Sequence, residues 1–300
     1  MLDGYWLDKK REFSKNTVRN YSRIFDYFLA FVGDAEFDAI STNDVRRFLN
    51  YLADAKEYSK RSVHDAWIPL SSLWTWAEGE EGTPHIIRGK IAIPDFPESI
   101  IEPFTQEEIK ALLIAAEYSK PWETRNGKTV QSKRPTADRD RAIILTLLDT
   151  GIRAQELCDL ALADYDQKRG RLHIQHGKGD KSRMVFLGMR SQKAMWRYLS
   201  ERRTKRADPL FATRSGEQIE RNNLRHTLQR IAEQAEVTNV YPHRFRHTFA
   251  INYLRNGGNI LVLQALLGHE SLDTVQIYVK LAELDLERSQ QHSPVDNWKL

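Results

Sequence analysis

Arg153 in TGIRAQEL, Lys178 in GKGDKSR, His243 and Arg246 in HRFR, His269 after LLG, and Tyr278 in QIYV form an ordered polar set. It supplies fixed cations, proton-transfer groups and one phenol, with no companion cluster of carboxylates. That inventory suits attack of a tyrosine oxygen on a phosphodiester. A free phenol ionises near pH 10, so nearby positive charge is needed to make phenolate accessible at neutral pH. Fixed cations would also stabilise charge developing on the phosphoryl group, each worth about 3–4 kcal/mol. Lysine can carry the mobile proton, because arginine cannot be deprotonated. A phosphotyrosine keeps the bond energy, so strands could be rejoined without ATP or a metal.

These side chains need elements to aim them. Pro242 suits the first position of a helix. His243 and Arg246 then fall three residues apart on one face of its opening turns, partly inward. Cations at a helix start oppose its dipole, and a bound phosphate would resolve that conflict. Arg153 follows a helix stop at Gly151, and Glu156 three residues on can orient its guanidinium. Lys178 lies between two glycines in a turn joining strands expected at Arg171–Gln175 and Arg183–Leu187. Lys181 and Arg183 nearby read as phosphate contacts. Gly268 ends one helix and Ser271 caps the next, so His269 and Tyr278 can be turned towards one cleft. On that last helix Leu272, Val275, Val279 and Ala282 make the core stripe, which leaves Tyr278 at its flank and partly accessible. Taken singly, each residue has an ordinary reading: a capping His, a snorkelling Arg, a surface ion pair, a charged hairpin tip, a packed boundary aromatic.

The rest of the chain reads as mainly α with a small antiparallel β-sheet. Helical spacing of Val18, Tyr21, Ile24, Phe25, Phe28 and Phe31, and caps at Ser41-Thr42 and Ser59, predict a helical region over residues 1–82. Residues 83–103 hold four prolines with little periodicity and read as a linker. Thr105-x-x-Glu108 is a capping box that opens a second domain over 104–283. A polar tail over 284–300 follows, with Trp298 and Leu300 near its end. Residues 120–135 read as an exposed basic loop. Helices are expected near 190–204, 219–235, 243–256, 260–267 and 272–283.

The 300 residues carry a net charge of +4, distributed as −4 over residues 1–103 and +8 over the remainder. A polyanion would meet its densest charge on the later part. One cysteine, Cys158, excludes an intrachain disulfide and reads as a small core residue. No apolar run is long enough to span a membrane and no signal-peptide pattern opens the chain, so a cytoplasmic protein is expected. Histidines lack zinc-type spacing, carboxylates do not converge, and no GxxxxGK[ST] loop occurs. No metal or other cofactor is expected.

In order and local context, the six polar residues resemble those of the tyrosine recombinases, the phage-integrase and Xer-like superfamily. The likeness is close over roughly residues 140–280 and loose over the N-terminal helices. It implies a helical core-binding, SAM-like domain and an α+β catalytic domain closing as a clamp on duplex DNA. Arg153 and Arg246 would grip the non-bridging oxygens of the scissile phosphate, and Lys178 would protonate the leaving 5′-oxygen. His243 would serve in proton transfer and His269 would hydrogen-bond the phosphate. Tyr278 would attack phosphorus to leave a 3′-phosphotyrosine, with Glu156 in the family's supporting acidic position. Relatives work as four protomers on two duplexes through a Holliday junction, which makes the tail a candidate for docking on a neighbour. Arg19, Lys60 and Arg61 are candidate DNA contacts of the first domain. Val279-Lys280 departs from the threonine and histidine that follow the tyrosine in many relatives. The start offers no spare segment for a separate arm-binding domain, so a two-domain enzyme is expected. Its role would be integration and excision of a mobile element or resolution of replicon dimers. A type IB topoisomerase shares this chemistry on one duplex, and a catalytically silent DNA-binding regulator is the reading from another class.

Overall fold

Serine and threonine caps start the helices where the sequence places them. Ser41 and Asp44 form a reciprocal box, Ser59 accepts from the Ser62 N–H at 3.2 Å, and Thr105 and Glu108 form a second box. In each case a short side-chain oxygen satisfies an N–H that the first helical turn leaves without a partner. The computed structural model describes residues 1–96, 102–175, 182–200, 202, 208–268 and 272–282. Lys178, Lys181, His269, the Ser271 cap, Trp298 and Leu300 lie outside the described residues.

The fold divides into two units, Met1–Ser99 and Ile100–Leu300. In the first, α1 (Leu2–Lys9), α2 (Lys15–Val32), α3 (Thr42–Asp54) and α4 (Lys60–Glu80) bury an aromatic core. Tyr5, Phe25, Phe28, Phe48, Trp74 and Trp76 are its largest members. Phe31, at the end of the predicted stripe, stays 37% exposed at the rim against Phe48 and Tyr51. The chain after α4 stays with this unit. Ile87 is fully buried in its core, and His85 Nδ1 accepts from the Ile87 and Arg88 N–H groups at 3.1 and 2.9 Å.

The second unit is mainly helical with small antiparallel sheets. It begins with α5 (Gln106–Glu117). The stretch expected as an exposed basic loop forms a small hairpin, β1 (Trp122–Glu123) with β2 (Thr129–Val130). Its turn is set by Gly127 in the left-handed region and by Thr124, whose hydroxyl donates to the Lys128 carbonyl. Next come α6 (Ala137–Thr150), α7 (Ala154–Asp159), β3 (Tyr165–Asp166), β4 (Arg171–Ile174) and β5 (Arg183–Phe186). The strands make one antiparallel sheet in the order β3-β4-β5, with Leu172 opposite Val185. Strand β3, too short to alternate visibly, escaped sequence reading. The unit closes with α8 (Met189–Ser200), α9 (Arg221–Ala235), α10 (Pro242–Arg255), α11 (Ile260–Leu267) and α12 (Asp273–Ala282).

Helix α6 packs against α5, α8 and α10. Its buried Ile143, Ile144 and Leu147 share a core with Leu112, Leu172, Val185, Met195 and Phe245. A smaller apolar cluster joins Ala250, Ile251, Leu263, Leu267, Val275 and Tyr278 from α10, α11 and α12. Cys158 is buried, as a small core residue should be. No described helix is long and apolar enough to cross a membrane.

Candidate active site

Helix α10 begins at Pro242 with Tyr241 in extended backbone, which puts His243, Arg246 and His247 on its first two turns. Arg244, pointing the other way, is structural. Its guanidinium grips both carboxylate oxygens of Glu108 at 3.0 Å and donates to the Glu102 and Thr238 carbonyls. It also lies 4.0 Å over the Phe104 ring. The Thr248 hydroxyl accepts from the Phe104 N–H at 2.9 Å. The segment leading into α5 is thereby fastened to α10, and α10 is held at a fixed rotation.

Arg246 is 3% exposed and donates to the Gly151 and Leu267 carbonyls, both at 2.7 Å. These are the ends of α6 and α11, where carbonyls lack helical partners and the dipole favours a cation. Gly151 takes a left-handed conformation, φ +59°, and a methyl group there would lie 2.4 Å from the Phe249 ring. Only glycine turns the chain this tightly while leaving its carbonyl aimed at Arg246.

Two further arginines reach the same helix end. Arg153, the N-cap residue of α7, donates to the Gly268 carbonyl at 3.2 Å and to Glu156 at 2.9 Å. Arg183 on β5 donates to the Leu266 carbonyl at 2.7 Å and grips Glu156 with both terminal nitrogens at 2.9 and 2.7 Å. Three successive carbonyls at the close of α11 thus each hold one guanidinium. The sequence reading of Arg183 as a phosphate contact differs from this placement: its side chain is 10% exposed and its fork is spent on Glu156. Glu156, 6% exposed, is the common anion. Burial alone would raise its carboxyl. Hydrogen bonds from Arg183, the Arg153 backbone N–H and the Arg153 side chain outweigh that and bring it down to about 2.

Tyr278 is 3% exposed, a correction to the partly accessible position expected of it. Leu272, expected in the stripe, is instead 39% exposed. Helix α12 is rotated so that Val275 and Tyr278 together face α10 and α11. The phenol lies within the electrostatic reach of the Arg246 guanidinium. On its other side the hydroxyl is 2.9 Å from His247 Nδ1. Burial pushes the phenol above its ordinary value, while Arg246 and Arg153 pull it down. Arg246 is lowered by burial, and by Arg153, to about 10, and so stays charged at neutral pH.

His243 is exposed, yet its packed flank removes enough water to lower its pKa, with Arg246, Arg221 and Arg153 adding repulsion. His247 is half-buried and held lower, at about 4, by burial and then by His243 and Arg246. Sequence reasoning passed over His247. It follows Arg246 directly and stands four residues, one helical turn, after His243, a spacing that marks a shared face. The structure therefore gathers Arg153, Glu156, His243, Arg246 and Tyr278 around one point and adds His247 and Arg183. In the first unit Arg19, Lys60 and Arg61 are exposed, Arg61 with its guanidinium 4.9 Å from the Phe96 ring centroid.

The chain as a whole has relatives among known proteins. Residues 103–284 match the phage integrase family, and residues 8–83 match the phage integrase N-terminal SAM-like domain. The tyrosine recombinase XerC of Oceanobacillus iheyensis is 32% identical over 96% of this chain and 93% of its own length. A crystal structure of XerA recombinase aligns with a TM-score of 0.53 at 26% identity, covering 95% of both chains. The XerH site-specific recombinase, solved bound to a palindromic difH substrate after cleavage, shares the fold with a TM-score of 0.71 at 21% identity. That alignment covers 94% of this chain and 81% of XerH. The chain belongs to the phage integrase family, as a tyrosine recombinase of the Xer type.

Proposed function

We propose that this recombinase cuts and rejoins duplex DNA at specific sites through a 3′-phosphotyrosine on Tyr278, passing through a Holliday junction. The observation that carries the assignment is the buried Tyr278 phenol, its hydroxyl 2.9 Å from His247 Nδ1 and under the positive charge of Arg246 and Arg153. A phosphodiester entering there would meet both guanidiniums and be held for in-line attack. In the proposed division of labour Arg153 and Arg246 neutralise the non-bridging oxygens and Glu156 fixes Arg153. His243 serves in proton transfer, His269 hydrogen-bonds the phosphate, and Lys178 protonates the leaving 5′-oxygen. None of these steps calls for a metal or ATP.

The proposal extends to organisation. Residues 1–82 would hold one face of the DNA, with Arg19, Lys60 and Arg61 on phosphates, and the catalytic domain, 104–283, the other. XerH was solved on its difH DNA, and a lambda integrase dimer on a core site, which supports DNA as partner and assembly of several protomers upon it. Four protomers on two duplexes, the 284–300 tail docking on a neighbour, and action on cytoplasmic nucleoid DNA complete the reading. Integration or excision of a mobile element and resolution of replicon dimers use the same chemistry.

Incubated with a pool of nicked duplexes, the wild-type chain is expected to form a denaturant-stable adduct through a 3′-phosphate, and Tyr278→Phe none. Adduct formation by Tyr278→Phe would overturn the assignment. Sequencing the trapped ends would identify the crossover site. A substrate carrying two such sites should then yield exchanged products rather than relaxation of supercoils alone.

A further inference from the structure

We infer that His247 is a catalytic residue, the group that takes the Tyr278 phenol proton as the oxygen attacks phosphorus. The inference rests on the proposed function and moves to His247 a proton-transfer role which the sequence reading had given to His243.

A short contact carries it. The Tyr278 hydroxyl lies 2.9 Å from His247 Nδ1. A neutral ring is what this environment imposes, because burial and the neighbouring His243 and Arg246 all oppose a second proton. With its hydrogen on Nε2, such a ring presents the Nδ1 lone pair to the phenol O–H, the arrangement that readies the oxygen for attack. His243 stands a turn earlier on α10, its ring centroid 6.2 Å from that of His247, and reaches solvent. It is placed to relay a proton outward rather than to receive it first.

In the forward step the Tyr278 O–H bond breaks as oxygen bonds to phosphorus, and the proton passes to His247 Nδ1. The bond from phosphorus to the 5′-oxygen breaks, and that oxygen takes a proton from a separate acid, in this reading Lys178. Rejoining reverses each transfer: the 5′-hydroxyl attacks, the Tyr278 oxygen leaves, and His247 returns its proton. The charged and titratable groups facing His247 are His243 and Arg246 on α10 and Tyr278 on α12, with Arg153 behind Arg246. A phosphate anion seated on Arg246 and Arg153 would offset their repulsion and strengthen the base. The base would thus be weak in the free protein and armed by its substrate.

The test is single-turnover adduct formation on a nicked duplex, comparing wild type, His247→Asn and His247→Ala at equal DNA occupancy. Asparagine keeps a polar atom near the Nδ1 position without a basic nitrogen, so a purely structural role would survive it. General-base loss predicts a rate about 100-fold lower or more in both variants, with partial recovery of His247→Ala by added imidazole. A 5′-bridging phosphorothiolate, whose thiolate leaves without a proton, should rescue Lys178→Ala but not His247→Asn. Wild-type rates in His247→Asn, or its full rescue by the phosphorothiolate, would overturn the inference while leaving the tyrosine assignment standing. Absence of any adduct from the wild-type chain would overturn the proposed function and this inference together.

Discussion

Glu156 receives hydrogen bonds from two guanidiniums and one backbone N–H while almost wholly buried, so its charge is tied to the folded state. Its carboxyl lies at about 2 when folded against an ordinary 4.5. The stabilisation is therefore complete above pH 4.5 and is lost as pH falls towards 2, on the order of 3 kcal/mol in all. His247 acts at higher pH. Its folded value of about 4 against 6.5 means the unfolded chain takes the proton first, so stability falls between pH 6.5 and 4. Urea midpoints followed downward from neutral pH should show both losses, and His247→Asn should shrink the upper one alone. Glu156→Gln should remove the lower one and cost about 3 kcal/mol at neutral pH, because it leaves buried arginines facing an uncharged partner. Gly151→Ala should cost about 1–2 kcal/mol in backbone strain and more from its collision with Phe249, read as a lowered Tm. It should also slow adduct formation, since the Gly151 carbonyl seats Arg246.

At the scale of elements, α11 is a short rod fixed at both ends. Asn259 caps its start by accepting from the Leu261 and Val262 N–H groups, and three arginines hold the carbonyls at its close. Asn259→Ala should cost about 1 kcal/mol, and the loosened carbonyls should speed amide hydrogen exchange across 260–268 before it spreads to α5 or α6. These elements also show what a sequence discloses. Caps at Ser41, Ser59 and Thr105, Pro242 at the start of α10 and the stop at Gly151 were all legible, because each is a local bargain between a side chain and its own backbone. The ordered polar set was legible for its chemical types. The burial of Tyr278 was not, because it depends on how α12 rotates against α10 and α11. Nor was the inward turn of Arg183, whose partners Glu156 and Leu266 lie far from it in the chain. His247 was passed over, although its spacing of one helical turn from His243 stood in the sequence.

Across the whole molecule, charge divides by unit, with the excess of positive residues after residue 103. Contacts from the first unit to DNA would be dispersed phosphate contacts rather than a dense basic surface. Lys60→Ala should weaken binding about equally on every duplex and reduce the slope of log affinity against log salt by about 1. A uniform loss with no change in slope would remove Lys60 from the interface. One further property follows from Cys158, the sole thiol in the chain, buried and pushed up to about 12 by its surroundings. Thiolate is the reactive form, so maleimide dyes should leave the native protein unmarked. A cysteine introduced at an exposed position in each unit would then take label cleanly, and a fluorophore pair could report how the two halves approach when duplex arrives.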